Sequence, residues 1–456
     1  MLKLPTALRA FAESLEREGA TLYAVGGCVR DALLGRDVHD VDLSSRLRPE
    51  ELLAFAETHG IRARIVQPQL GTVLLTVDGT EYEHTTFRTE SYGAGGVHRP
   101  DEVRFSDSPK TDAFRRDFSV NALYESVSDG TILDPTGGLS DLDARVLRTT
   151  TADPAVILKD DGLRILRLVR FAAALDFSID PDTWEAAKAN AALLNGVAWE
   201  RKRQELDRIL TGERVFYALT MLKDVGALAY LLPELSDCDG MEQRKEYHRY
   251  DVLTHLFHTC EHMPNTEWWY ATKDPWYVPD YRLIGLLHDV GKPEAFRRDG
   301  KLYSHDLYGA EIARTMLTRL KYPNDLIDFV CGVIRIHMFD LTEKASEATL
   351  RKRFVKFGEF RTRTLILIRE ADIRGSGIRT DYVAERWRKV LKDMIDARVP
   401  FSEGDLAVTG KDIMEELGIP ASERIGKIKH ALLMHCAVHP EENLREILLK
   451  RMHDYV

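Results

Sequence analysis

The chain has 456 residues, 44% of them hydrophobic, and a formal net charge of −10, enough apolar material to bury a core in each of roughly two to four domains. No apolar run approaches a membrane span, and residues 1–19 read as an amphipathic helix and not a signal peptide, which predicts a cytoplasmic protein with no membrane partner. Five scattered cysteines (Cys28, Cys238, Cys260, Cys331, Cys436) without a C-x-x-C pair argue against a disulfide framework or a zinc ribbon.

The acidic balance does not by itself suggest RNA, because phosphate contacts need Lys and Arg; basic clusters such as RKRFVKFGEFRTR (351–363) nevertheless stand between acidic helices. The stretch YAVGGCVRDALLGRDVHDVDL (23–43) reads as a short buried strand, a tight turn at Gly26-Gly27, a helix opening at Cys28, and a second strand carrying Asp40 and Asp42. On a strand, carboxylates at i and i+2 share a face, as a pair of divalent cations requires. The glycines let backbone N–H groups approach a phosphate, where Arg30 adds charge. Together these features describe a nucleoside triphosphate site.

Residues 61–90 read as strands, with Asp78-Gly79 as a hairpin turn between TVLLTV and EYEHTTFR. Glu81 and Glu83 alternate onto one face of the last strand, so either could supply a third acid or simply face solvent. The segment SYGAGGVHRPDEVRF (91–105) has no strand or helix period and reads as a functional loop. Arg115 and Arg116 follow in RRDFSVNAL; adjacent arginines are commonly surface ion pairs, yet they also suit a triphosphate through their forks of donors. The segment TILDPTGGLSDLDARVLRT (131–149) reads as strand, turn, strand. LKDDGLRILRLVRFAAALDF (158–177) reads as one helix, with Arg164, Arg167 and Arg170 in a slowly rotating stripe.

The ordered set Gly26, Gly27, Val29, Arg30, Asp31, Leu33, Leu34, Gly35, Asp40 and Asp42, then RRDFSVNAL, then Asp161-x-x-Arg164, closely resembles class II tRNA nucleotidyltransferases of the polymerase-β superfamily. The resemblance implies an α+β fold: a small polymerase-β-like head with a mixed sheet, then an all-helical neck, body and tail. It implies catalysis with two Mg²⁺ on Asp40 and Asp42, favours Glu83 as the third acid, and makes Gly26, Gly27, Arg30, Arg115, Arg116, Asp117 and Asn121 nucleotide-binding. It also places the family's flexible loop, thought to help the change from adding C to adding A, at residues 91–105. Asp161 and Arg164 would read the base, with Arg167 and Arg170 in the same signature. Cytosine and adenine both offer an amino donor that an Asp accepts, whereas uracil and guanine present a carbonyl there. The family often has Glu before the base-reading Asp; here it is Asp160.

From Tyr247 a second centre begins. EYHRYDVLTHLFHTCEH places His248, His255, His258 and His262 on one helical stretch, and His288-Asp289, His305, His337 and Asp372 follow. That order on a helical background resembles the HD phosphohydrolases. The resemblance implies a first metal on His255, His288, Asp289 and Asp372 and a second completed by His305 and His337; such ligands suit Mn²⁺, Ni²⁺, Fe²⁺, Zn²⁺ or Mg²⁺. Leu256 stands where that family often has Thr, and NTEWWYATKDPWYVPD reads as an insertion loop.

The expected organisation is a nucleotidyltransferase head (1–148), a neck and body with the base template (149–240), an HD module (241–375) and a helical tail touching tRNA (376–456). The expected activity is template-independent addition of CCA to tRNA from CTP and ATP. Rival expectations are an enzyme adding only A, a poly(A) polymerase, or an HD phosphohydrolase whose head merely binds RNA.

Overall fold

The computed structural model describes residues 2–91, 102–264, 278–340, 344–378 and 384–455, for residues 278–280 the backbone alone. They divide into two compact units, Met1–Pro233 and Glu234–Val456. No helix among the described residues is long and apolar enough to cross a membrane.

The first unit opens with α1 (Thr6–Arg17), β1 (Tyr23–Val25), α2 (Gly27–Leu33), β2 (Leu43–Ser45) and α3 (Pro49–Thr58). There follow β3 (Arg62–Gln67), β4 (Thr72–Val77), β5 (Thr80–Thr86), β6 (Arg88–Ser91), β7 (Glu102–Phe105), α4 (Pro109–Phe114), β8 (Tyr124–Ser126) and β9 (Ile132–Leu133). Seven of these strands form one sheet in the order β3-β4-β5-β2-β1-β8-β9. It is mixed: β2 runs parallel to β5, and the other neighbours are antiparallel. Asp78 and Gly79 both take positive φ, 51° and 80°, the backbone that a two-residue hairpin needs. Val25, Phe87, Ala113, Ala122 and Tyr124 pack as a buried cluster that includes residues of β1 and β8.

Several expectations are corrected here. The strand expected to carry Asp40 and Asp42 begins later, at Leu43; both acids sit on the irregular approach to it, although Val25 N–H still donates to the Asp42 carbonyl at 2.9 Å. Glu102–Phe105, read as loop, pairs with Arg88–Ser91 as a hairpin. Its connecting residues lie outside the described residues, as does most of the expected insertion loop, 265–277.

The expected strand-turn-strand after residue 131 instead holds a helix, α5 (Gly138–Ala144), between β9 and β10 (Val146–Leu147). Asp134 explains it: its carboxylate accepts the N–H groups of Gly138 (2.7 Å) and Leu139 (3.0 Å), which satisfies the free donors of a helix start.

The single helix expected over 158–177 is two, α6 (Pro154–Asp160) and α7 (Leu163–Leu175), broken at Asp161, whose backbone is extended. Gly162 lets the break press against Leu193; a Cβ there would lie 2.9 Å from the Leu193 Cβ and 3.0 Å from its carbonyl. The arginine stripe on α7 is no solvated face. Arg167 and Arg170, with Arg30, surround the Phe171 ring at 5.3, 4.0 and 5.1 Å. The unit closes with β11 (Ser178–Ile179), α8 (Pro181–Asn190), α9 (Trp199–Leu210), α10 (Val215–Asp224) and α11 (Leu228–Leu231).

The second unit is helical: α12 (Val252–His262), α13 (Val278–Leu287), α14 (Lys292–Asp299), α15 (His305–Arg319), α16 (Asn324–Ile334), α17 (Glu347–Phe357) and α18 (Glu359–Gly375). Then come α19 (Glu385–Asp396), α20 (Gly410–Leu417), α21 (Glu423–Cys436) and α22 (Arg445–Arg451). His248 lies before α12 and not on it, because the Asp251 side chain caps the helix by accepting the N–H of Thr254. All five cysteines are buried as free thiols.

Candidate active site and candidate metal centre

In the head, the parallel register of β2 and β5 pairs Leu43 with His84, so the residues just before them, Asp42 and Glu83, stand side by side. Solvent reaches both residues, yet desolvation pushes the Asp42 carboxyl up; Arg116 opposes this and Asp40 adds to it. Burial and Asp42 push Glu83 up as well, against Arg88. Asp40, Asp42 and Glu83 thus share one electrostatic neighbourhood, in which Arg116 and Arg88 oppose but do not cancel the upward shifts. A set of carboxylate oxygens is the donor chemistry a hard cation such as Mg²⁺ takes.

Gly26 turns the chain between β1 and α2 with φ 85°, and a Cβ there would meet Arg116 Nη1 at 3.4 Å. Arg30 faces inward: Nε and Nη2 hold the Asp31 carboxylate at 2.9 and 2.8 Å, and Nη1 donates to Asn121 Oδ1 at 2.5 Å. Asn121 in turn donates to Asp117 at 3.1 Å. Asp117 also takes Arg167 at 2.6 Å; burial would push its carboxyl up, but Arg167 and Asn121 prevail and hold it down at about 2.

Asp112, which sequence reasoning missed, is wholly buried and holds both Arg115 (2.7 Å) and Arg116 (3.1 Å). A signal was present: it lies three and four residues before them, one helical turn. Glu90, also missed, takes Arg88 at 2.6 Å and Arg115 at 3.3 Å.

Asp161 and Arg164 flank the helix break. Arg164 is buried and donates to the carbonyls of Ile157 and Arg115, each at 2.8 Å. The Asp161 carboxylate accepts the Leu163 N–H at 3.0 Å and a guanidinium the sequence did not point to, Arg201 on α9, at 2.7 Å. Arg170 pairs with the buried Glu205 at 2.6 Å.

The second unit brings its six candidate ligands together. Ligand atoms of His255, His288, Asp289 and Asp372 all lie within 4.8 Å of one another, as do those of Asp289, His305 and His337. Asp289 belongs to both groups: Oδ2 faces His255 (3.4 Å) and His288 (3.2 Å), while Oδ1 faces His305 (3.0 Å) and His337 (3.6 Å). Three of the imidazoles are oriented alike: His288, His305 and His337 each donate Nδ1–H to the carbonyl three residues earlier, Gly285, Leu302 and Ile334, at 2.9, 2.6 and 2.6 Å. The Nε2 lone pair is then left facing the cluster. Two such nitrogens, of His305 and His337, stand 3.2 Å apart, an arrangement that a cation between them satisfies. Burial pushes the Asp289 carboxyl up, but His288 and Lys292 hold it well below the ordinary range. A cleft of about 1560 Å³ opens over this floor, with Lys292, Arg369 and His248 in its walls.

This head, with its acids and arginines on a mixed sheet, is that of a nucleotidyltransferase. Residues 22–148 match the model of the poly A polymerase head domain, 176–238 that of the "Probable RNA and SrmB-binding site of polymerase A", and 303–452 that of the tRNA nucleotidyltransferase domain 2. The chain belongs to the CCA-adding enzymes, a family of tRNA nucleotidyltransferases. It is 30% identical to the CCA-adding enzyme of Geobacillus thermodenitrificans over 435 residues, 95% of this chain and 92% of that one. To the CCA-adding enzyme of Geobacillus stearothermophilus it is 29% identical, over 95% of this chain and 93% of the other. Among solved structures, the Bacillus stearothermophilus CCA-adding enzyme in complex with CTP superposes with a TM-score of 0.73 at 25% identity, over 99% of this chain and 98% of that one. A CCA-adding enzyme with ATP shares the fold, with a TM-score of 0.68 at 19% identity, over 98% of this chain and 95% of that one.

Proposed function

We propose that the chain adds CCA to the 3′ end of tRNA from CTP and ATP, without a template, in the cytoplasm. The terminal hydroxyl attacks the α-phosphate and pyrophosphate leaves. One observation carries this reading: Asp40, Asp42 and Glu83 share a neighbourhood beside Arg116, within a chain that matches a CCA-adding enzyme along 95% of its length.

Asp40 and Asp42, with Glu83, would hold two Mg²⁺, which when bound supply charge neutralisation at the phosphate and acidify the attacking hydroxyl. The rest falls to the side chains of the chain. Arg115 and Arg116 offer forked donors to the triphosphate, and the turn at Gly26-Gly27 lets backbone come close to it. Asp161 accepts from the amino group of cytosine or adenine while Arg164 donates to the neighbouring ring positions; uracil or guanine would leave the carboxylate facing a carbonyl. Arg30, Asp117, Asn121, Arg167 and Arg170 keep these groups in register. Residues 1–148 act as the head, 149–240 as the neck and body, 241–375 as the HD module and 376–456 as a tail that touches tRNA.

The test is to supply Mg²⁺, CTP, ATP and a tRNA transcript lacking its last three nucleotides, and to sequence the products. Ends that read CCA and stop there support the proposal. Addition of A only to transcripts already ending in CC would make it an A-adding enzyme, and long A tails a poly(A) polymerase.

A second reading concerns the other unit. The double His/Asp cluster sharing Asp289 favours a divalent metal centre that hydrolyses phosphoesters. Its donor set of imidazoles and carboxylates fits such ions, and the cleft above it gives room for a substrate.

A further inference from the structure

The proposed nucleotidyl transfer, on which this inference rests, leaves two carboxylates of the head without a role. Asp112 on α4 divides its oxygens: Oδ1 accepts from Arg115 Nε at 2.8 Å, and Oδ2 accepts from Arg116 Nη2 at 3.1 Å and from the Tyr124 hydroxyl at 2.7 Å. Glu90 on β6 accepts from Arg88 Nε at 2.6 Å and from Arg115 Nη1 at 3.3 Å through the same oxygen. The result is a run of alternating charge, Arg116–Asp112–Arg115–Glu90–Arg88. Its ends return to the acids. Arg116 bears on Asp42, Arg88 bears on Glu83, and the β2–β5 register sets Asp42 beside Glu83. The run of contacts therefore ends at both sides near the acids, and like charges meet where Asp42 stands by Glu83, the place proposed for Mg²⁺.

We propose that Asp112 and Glu90 are positioning residues for nucleotidyl transfer, holding Arg115 and Arg116 in place for the triphosphate and keeping Arg116 from closing onto Asp42. An arginine already fixed by a buried carboxylate loses little side-chain freedom when it takes up a phosphate oxygen. One released from its carboxylate is free to turn to another anion, and Asp42, whose carboxyl already feels Arg116, would then be neutralised as a cation ligand.

The experiment compares wild type with Glu90→Gln and Asp112→Asn, both near-isosteric. Three quantities are read: CTP binding by calorimetry, kcat and KM for CTP addition, and the Mg²⁺ concentration giving half-maximal rate. Glu90→Gln should weaken CTP binding and raise KM about fivefold while kcat stays within about twofold, because Arg115 is loosened and the chemistry is not. Asp112→Asn should lower kcat about 50-fold and raise the half-maximal Mg²⁺ about fivefold, because Arg116 now competes at Asp42. Unchanged CTP binding in Glu90→Gln overturns the proposal. So does an Asp112→Asn variant whose loss only tracks its fall in Tm with the Mg²⁺ requirement unmoved. If Asp112→Asn does not fold, Glu90→Gln decides alone. A wild type that binds CTP but does not extend tRNA would refute the assigned activity, and the calorimetric comparison would still judge the positioning role of Glu90 and Asp112.

Discussion

Arg201 closes on Asp161 from a different helix, Nη2 to Oδ2 at 2.7 Å and Nη1 to Oδ1 at 3.4 Å. A forked guanidinium on a carboxylate fixes the plane in which that carboxylate can accept a further hydrogen bond. Arg201→Ala should therefore lower kcat/KM for CTP about tenfold and let UTP in, since selectivity rests on where the acceptor points. Sequencing of 3′ ends made with all four nucleotides checks this, and unchanged fidelity would count against it.

Asp42→Ala should reduce nucleotide addition by at least about 10³-fold, the scale on which electrostatic catalysis depends on one group. The Asp42 carbonyl still accepts from Val25, so the β1–β2 pairing at the middle of the sheet survives the change. Binding of tRNA, followed by filter retention, should stay within about twofold, because few phosphate contacts are lost. Residual turnover near wild type would refute the metal role of Asp42.

His288→Gln should lower the divalent metal retained by the purified chain, measured by atomic emission. The substitution removes an Nε2 ligand that Gly285 holds in orientation. Addition of CCA should remain within about twofold of wild type, since the centre lies in the other unit. An unchanged metal content would remove the case for His288 as a ligand.

Acid should loosen the head through Asp117. Its folded pKa, about 2, lies below the ordinary carboxylate value near 3.9, so its contribution is complete above pH 4 and is lost as the pH falls toward 2. The gap corresponds to roughly 2–3 kcal/mol at neutral pH. Urea midpoints of wild type and Asp117→Asn should differ at pH 7 and converge toward pH 2; a constant difference would contradict the assignment.

How much of the fold and the site was legible depended on whether sequence neighbours are also spatial neighbours. The acids of the head could be read in part: Glu81 and Glu83 alternate onto the same strand face, and the β2–β5 register is what sets Glu83 next to Asp42. Asp112 was hidden in an ordinary-looking stretch, PKTDAF, although its helical spacing to Arg115 and Arg116 was available. Arg201 and Glu205 could not be read, because nothing local ties α9 to α7; their partners are settled by packing. The six residues of the second centre were legible from the order of their types. The shared use of Asp289, and the carbonyls that aim three imidazoles, depend on helix placements that no spacing encodes. The break at Asp161 had a signal in Gly162, a residue that costs about 1 kcal/mol in a helix interior and is common at helix ends, but the apolar period running through it masked that signal.

The buried cysteines bear on how the protein can be studied. Burial holds the thiols of Cys28, Cys331 and Cys436 up at about 11 and those of Cys238 and Cys260 at about 12. At neutral pH almost none is present as thiolate, the form that reacts with maleimides and disulfides. A single cysteine engineered onto a surface helix will therefore outpace all the native ones. Fluorophores can be attached at a chosen position in the otherwise unaltered chain.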